Sequence, residues 1–182
     1  MAISEALNRG EQKQMSICEA FLQELDQEAR TTRRVLERVP DAQLAWKPHP
    51  KSWSLGQLAL HVATVPGGVA SFATAPSAPA PNFVQAAATR AAELLPALDQ
   101  SIAQAKEALR KMDDASMGAT FKIMAGDREI MALPRAAFLR AIMLNHWYHH
   151  RGQLSVYLRQ LEVPVPSIYG PSADENPFAD MS

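Results

Sequence analysis

Apolar residues recur every three or four positions along four stretches of the chain, and prolines punctuate the gaps. That spacing belongs to helices with one buried face and leaves little room for a sheet-based core. The first stretch, about residues 14–39, carries Ile17, Phe21, Leu25, Val35, Leu36 and Val39 on one side, and Pro40 follows it. Glu28 lies in a gap of this stripe, on the same inward side. Ser54 and Gln57 have the spacing of a capping box and open a second helix, with Trp53 and Leu58 placed for a hydrophobic staple. Leu58, His61, Val62 and Val65 share a face of that helix, and Pro66-Gly67-Gly68 predicts a stop, kink or bend.

A second capping-box pair, Asn82 and Gln85, predicts a third helix over Phe83 to Met112, kinked or broken at Pro96. A fourth helix is expected from Pro134 to Leu161, roughly 40 Å long. The segment between them is weakly helical, and Phe121-Lys122-Ile123 and Glu129-Ile130-Met131 flank Gly126-Asp127 as a short hairpin would. Pro76 to Pro81 reads as a Pro/Ala connector, and residues 162–182 as an irregular tail. The expectation is therefore one all-α domain over residues 1–182, a four-helix bundle with its core at about 14–161.

Composition narrows the function. Eighteen Lys and Arg against 19 Asp and Glu give a net charge of −1, which argues against nucleic-acid binding through a general positive field. No run of apolar residues approaches a membrane span, and Met1 to Gln14 is polar, without the apolar core of a leader peptide. Cys18 is the single cysteine, which excludes an intramolecular disulfide and a cysteine-built zinc site and fits the cytoplasm. Its apolar neighbours mark it as a buried, inert thiol. No glycine-rich phosphate loop and no G-x-S-x-G elbow occurs.

That leaves five histidines. His146 and His150 stand four residues apart, so on a helix they project about 40° from each other, one turn above the other. Two imidazoles so placed can reach one ion from a single face. Ile142, Met143, Gln153, Leu154 and Tyr157 share that face, whereas Arg140, Arg151 and Arg159 fall on the opposite side. Two core histidines bonded to carbonyls or water would give the same pattern. His61 tips the balance towards metal, because it lies on an apolar stripe of a different helix and facing helices supply metal ligands in bundles. A three-imidazole set leaves positions open for water or substrate. Glu28 could orient a ligand histidine, reach the ion through water or act as a base. Its other reading is a stripe-edge residue that reaches solvent. Gln153 and Tyr157 are candidates to line the same cavity or to fill the bundle. His149 sits on the shoulder of the face, and His49 lies between prolines in a connector.

The segment Asn145-His146-Trp147-Tyr148-His149-His150-Arg151-Gly152-Gln153-Leu154, with Tyr157-Leu158-Arg159, resembles the last-helix signature of the DinB-like superfamily. The runs Trp46-Lys47-Pro48 and Lys51-Ser52-Trp53-Ser54-Leu55-Gly56-Gln57-Leu58-Ala59-Leu60-His61 are similar to it too, and Val163 to Asp174 looks like a subgroup feature. The resemblance spans roughly residues 15–175. It implies an up-down-down-up four-helix bundle with a long crossover, often dimeric. It also implies a divalent ion, zinc or nickel, on the three histidines that match His61, His146 and His150. Some members of the superfamily are S-transferases using bacillithiol or mycothiol, and one branch isomerises maleylpyruvate. The expected activity is thus metal-dependent transfer of a low-molecular-weight thiol to a small-molecule substrate. A metal-dependent hydrolase with Glu28 as base and a non-enzymatic metal-binding stress-response protein are the alternatives. The superfamily name refers to damage-inducible expression and does not imply DNA binding.

Overall fold

The computed structural model describes residues 15–81 and 84–179. Three long helices, α1 (Ile17–Leu36), α2 (Leu55–Phe72) and α3 (Leu94–Arg110), pack against one another and against a final helical run. That run comprises α5 (Arg135–Phe138), a π-helical segment (Leu139–Asn145) and α6 (His146–Gln160). Short α4 (Asp114–Gly118) leads into a small sheet of β1 (Ser77–Pro79), β2 (Thr120–Ala125) and β3 (Arg128–Pro134). The chain is mostly helical, and the sheet corrects an all-α description. No helix among the described residues is long and apolar enough to cross a membrane.

Local chemistry starts these elements. Ser16 and Glu19 cap α1 reciprocally, Ser54 and Gln57 do the same for α2, and Asp113 and Ser116 for α4. The hairpin appears around Gly126-Asp127 as expected, with Gly126 at φ 60°, the left-handed conformation a tight two-residue turn requires. The Pro/Ala connector adds to it unexpectedly: Ser77–Pro79 pairs parallel with Lys122–Met124. Buried Arg135 ties that sheet to the end of α2, donating from Nε to the Ala73 carbonyl at 2.8 Å.

The third helix departs from expectation. It begins at Leu94, not at residue 83; Asn82 and Phe83 lie outside the described residues, and Gln85 is not helical. Residues 86–90 are held instead by Ala88 N–H donating to the Gly56 carbonyl at 3.2 Å and by Thr89 bonding Glu93. Tertiary contacts override the helix propensity of this alanine-rich stretch. Pro96 then falls in the first turn of α3, where a missing N–H costs nothing, so it neither kinks nor breaks the helix.

Pro66 likewise fails to stop α2, which continues through it to Phe72. A proline at this position leaves the carbonyl four residues earlier, that of Val62, without its helical donor. The Trp147 indole Nε1–H fills the gap, donating to that carbonyl at 2.7 Å inside the core. On the other side of the helix, Gly67 N–H donates to Ser101 Oγ at 2.8 Å, and the Ser101 hydroxyl donates to the Thr64 carbonyl at 3.1 Å. A Cβ on Gly67 would meet the Ser101 carbonyl oxygen at 2.6 Å, so α3 can approach this closely only at glycine.

The tail is irregular yet docked. Glu175 pairs with Arg34 and accepts from Ser167 N–H, and Asp174 pairs with Arg159 and accepts from Val165 N–H.

Trp147→Phe strips the donor from a buried carbonyl and should cost about 1–3 kcal/mol beyond any packing loss. Pro66→Ala restores a backbone N–H and should recover part of that loss in the Trp147→Phe background. Urea denaturation of the four proteins checks this, and an equal penalty in both backgrounds would refute it.

Candidate metal centre

His61 on α2 and His146 and His150 on α6 meet at one point. One ring nitrogen of each lies within 4.8 Å of the others, and all three residues are half-buried. His146 Nε2 and His150 Nε2 are 2.8 Å apart. The rings meet edge to face, with centroids 5.1 Å apart for His61 and His146 and 4.7 Å for His61 and His150. Burial leaves His61 Nε2 without a hydrogen-bond partner. A buried nitrogen of this kind is costly unless something accepts its lone pair.

Electrostatics keep the rings neutral. Burial, and then the neighbouring imidazoles of His150 and His146, push His61 down from 6.5 to about 4, with Gln85 opposing. Burial also lowers His146 and His150. Neutral imidazoles are the form that binds metal. The donor set is all nitrogen, three convergent lone pairs of neutral rings, and it suits a divalent transition ion such as zinc or nickel.

The groups behind the ligands are well defined. His150 Nδ1 lies 2.9 Å from Gln153 Oε1, an acceptor; the Nδ1–H tautomer leaves Nε2 free to face the cluster. Trp53 stacks on His150 with centroids 5.3 Å apart and an interplanar angle of 24°, and meets His61 edge-on at 4.9 Å. Sequence spacing identified Trp53 only as a staple residue; its contact with two of the histidine rings depends on how the connector folds back. Tyr157 does not join the cluster. Its hydroxyl donates to the Trp53 carbonyl at 3.4 Å and its ring meets Trp46, so it supports the tryptophan that packs on His61 and His150. His149 is exposed and outside the donor group, although its ring lies 4.9 Å from that of His150. His49 is exposed in the connector, where Nδ1 accepts from Lys51 N–H at 3.2 Å.

Glu28 goes elsewhere. Its carboxylate pairs with Arg151 Nη2 at 2.6 Å and accepts from the Tyr169 hydroxyl at 3.0 Å, and it is absent from the donor group. Arg151 is not on a solvent-facing side, as its place opposite His146 suggested: it is 1% exposed. Thr32 Oγ1 and the Glu28 carbonyl take Nη1, and the Tyr148 and Tyr169 rings lie 5.2 and 5.0 Å from the guanidinium. The side of α6 opposite the histidines faces α1 rather than water. Cys18 is buried and donates to the Met112 carbonyl; burial first, then Asp114 and Asp113, raise its pKa and keep the thiol protonated.

An apolar cavity of about 450 Å³ adjoins the cluster, lined by α2, the π segment and the sheet, with His146 at its edge.

Two outcomes follow. His61 is harder to protonate folded than unfolded, so the unfolded chain binds the proton preferentially below pH 6.5. Metal-free protein should therefore keep its full stability above pH 6.5 and lose this contribution as pH falls towards 4, seen as a falling melting temperature. A flat profile across that window would contradict it. Glu28→Ala leaves a buried guanidinium without its counter-charge and should cost about 3–5 kcal/mol. Metal affinity in the folded fraction should hold; its collapse with stability intact would place Glu28 in the metal site.

The comparisons agree with this architecture. The DinB family model matches residues 11–177. YrdA of Bacillus subtilis strain 168 is 27% identical over 157 residues, covering 85% of this chain and 89% of its own. A DinB-like protein from Bacillus cereus ATCC 10987 superposes with a TM-score of 0.67 at 25% identity, covering 85% of this chain and 99% of that one. The fold is shared as well by the DinB-like protein YjoA of Bacillus subtilis, with a TM-score of 0.61 at 20% identity over 80% of this chain and 95% of that one. With the family model matched over nearly the whole length, the chain belongs to the DinB family.

Proposed function

We propose that the protein is a divalent-metal-dependent enzyme of the thiol S-transferase type, with zinc or nickel held by His61, His146 and His150. The observation that carries the proposal is the convergence of three neutral imidazoles from two helices around a buried, partnerless nitrogen, with no carboxylate among them. A divalent ion bound there would supply Lewis acidity, bringing the pKa of a thiol below neutrality.

The chain's own residues supply position and dryness. Gln153 fixes the tautomer of His150, and Trp53 covers two of the ligand rings. In the transfer, the thiol gives its proton to solvent and its sulfur donates an electron pair to an electrophilic carbon. That pair becomes the S–C bond as the bond to the leaving group breaks, and the leaving group departs with the electrons of the broken bond.

The position of Glu28 favours a thiol over water as nucleophile. A hydrolase needs a general base beside its water. Glu28, the sequence candidate, is engaged by Arg151 and Tyr169. A free thiol ionises near 8.5, already close to neutrality, and has far less need of a base. The cavity beside His146 favours an enzyme over a closed metal-storage or stress-response site.

Purified protein should carry about one divalent ion per chain, and His61→Ala and His146→Ala should each lose it with a fall in melting temperature. Metal-loaded protein should consume an electrophile in the presence of a low-molecular-weight thiol, and neither variant should. Full metal retention in both variants sinks the ligand assignment. Stoichiometric metal without turnover of any thiol and electrophile pair favours the non-enzymatic reading.

A further inference from the structure

The cavity beside His146 differs chemically from the rest of the site. Val69, Phe72, Ile123, Phe138 and Ile142 are among its walls, with Gly68 on α2, and no charged residue among the described residues lines it. Its volume, about 450 Å³, is within the range of small-molecule pockets, roughly 300–1,000 Å³. Ile130 and Met131 on β3 also line it, at 48% and 37% exposure, so two of the larger exposed apolar side chains of the fold stand at this one concavity. His146 is the sole ligand histidine on its wall. The polar neighbours of the cluster belong to the other two rings: Gln153 bonds His150, and Gln85 acts on His61.

We infer that this cavity is the acceptor site, and that the electrophile is a neutral, largely apolar small molecule seated between α2, the π segment and the hairpin. A charged molecule would lose its hydration here without gaining a partner. The hydroxyls and carboxylates of a polar thiol cofactor would do the same. The two substrates thus approach from different sides, the polar thiol past His150 and His61, the apolar acceptor past His146. The inference rests on the proposed transferase reading for the role of the cavity, not for its ligand chemistry.

Gly68 offers a clean probe. It lines the cavity, and a Cβ built on it meets nothing within 4 Å. Gly68→Leu fills open space and replaces a helix-interior glycine, so it should fold at least as well as the parent chain. The test titrates the full chain, metal-free and then cobalt-loaded, with N-phenyl-1-naphthylamine, a neutral apolar fluorophore. Fluorescence should rise with saturable binding in the parent chain, and affinity should fall by about tenfold or more in Gly68→Leu. Met131→Lys, on the hairpin outside the helical core, should weaken binding likewise and serves if Gly68→Leu does not fold. In the cobalt-loaded protein the fluorophore's proton resonances should broaden, because the cavity ends at a ligand histidine. No binding, binding of equal strength in the folded variants, or binding without broadening in a chain that holds cobalt overturns the inference. Metal content of the same samples separates the two failures: variant-sensitive binding in a chain that takes up no metal defeats the transferase reading and leaves the apolar site standing.

Discussion

One hydrogen bond sets the geometry of the site. The Trp147 indole donates to the Val62 carbonyl, the acceptor that Pro66 leaves without a helical partner. Val62 follows His61 in the chain, and Trp147 follows His146. A bond between the two residues adjoining His61 and His146 holds α2 and α6 at the separation at which their imidazoles meet. The proline that looks like a helix breaker is thus the reason two helices lock together. Ser101 secures the same stretch from α3, so the turn after His61 is fixed from both flanks.

α6 is buried on two opposite sides, and they do different work. One presents His146 and His150 to α2. The other sinks Arg151 against α1, where Glu28, Thr32 and Tyr169 complete its partners. A buried ion pair is a weak source of net stability, but losing either member is severe, so the pair resists rotation or sliding of α6. The docked tail takes part through Tyr169, whose hydroxyl touches both Arg151 and Glu28.

The sequence made local features legible. The box at Ser54 and Gln57, the turn at Gly126 and the four-residue spacing of His146 and His150 each depend on near neighbours, and each stands as expected. The joining of His61 to that pair was legible because an apolar helix face has one direction to point. What escaped depends on contacts distant in the chain. The start of α3 is decided by Gly56 and by the tolerance of a first turn for Pro96, and the pairing of Ser77–Pro79 needs a strand from beyond α3. The burial of Arg151 escaped because a wheel with one inward face cannot describe a helix enclosed on two sides. The π segment carries no periodic signature: the His146 N–H reaches back to Ala141, five residues away.

The engagement of Glu28 by Arg151 also bears on the charge at the histidine cluster. A divalent ion on three uncharged rings would keep its double positive charge, and no acid among the described residues joins the donor group to offset it. In a half-buried site that surplus is poorly screened. On the proposed function, the missing negative charge would come with whatever occupies the open positions, and an arriving anion such as a thiolate would meet the demand where a neutral ligand would not. With Glu28 engaged by Arg151 on the far side of α6, the fold would leave the balancing of charge to whatever binds at the histidines.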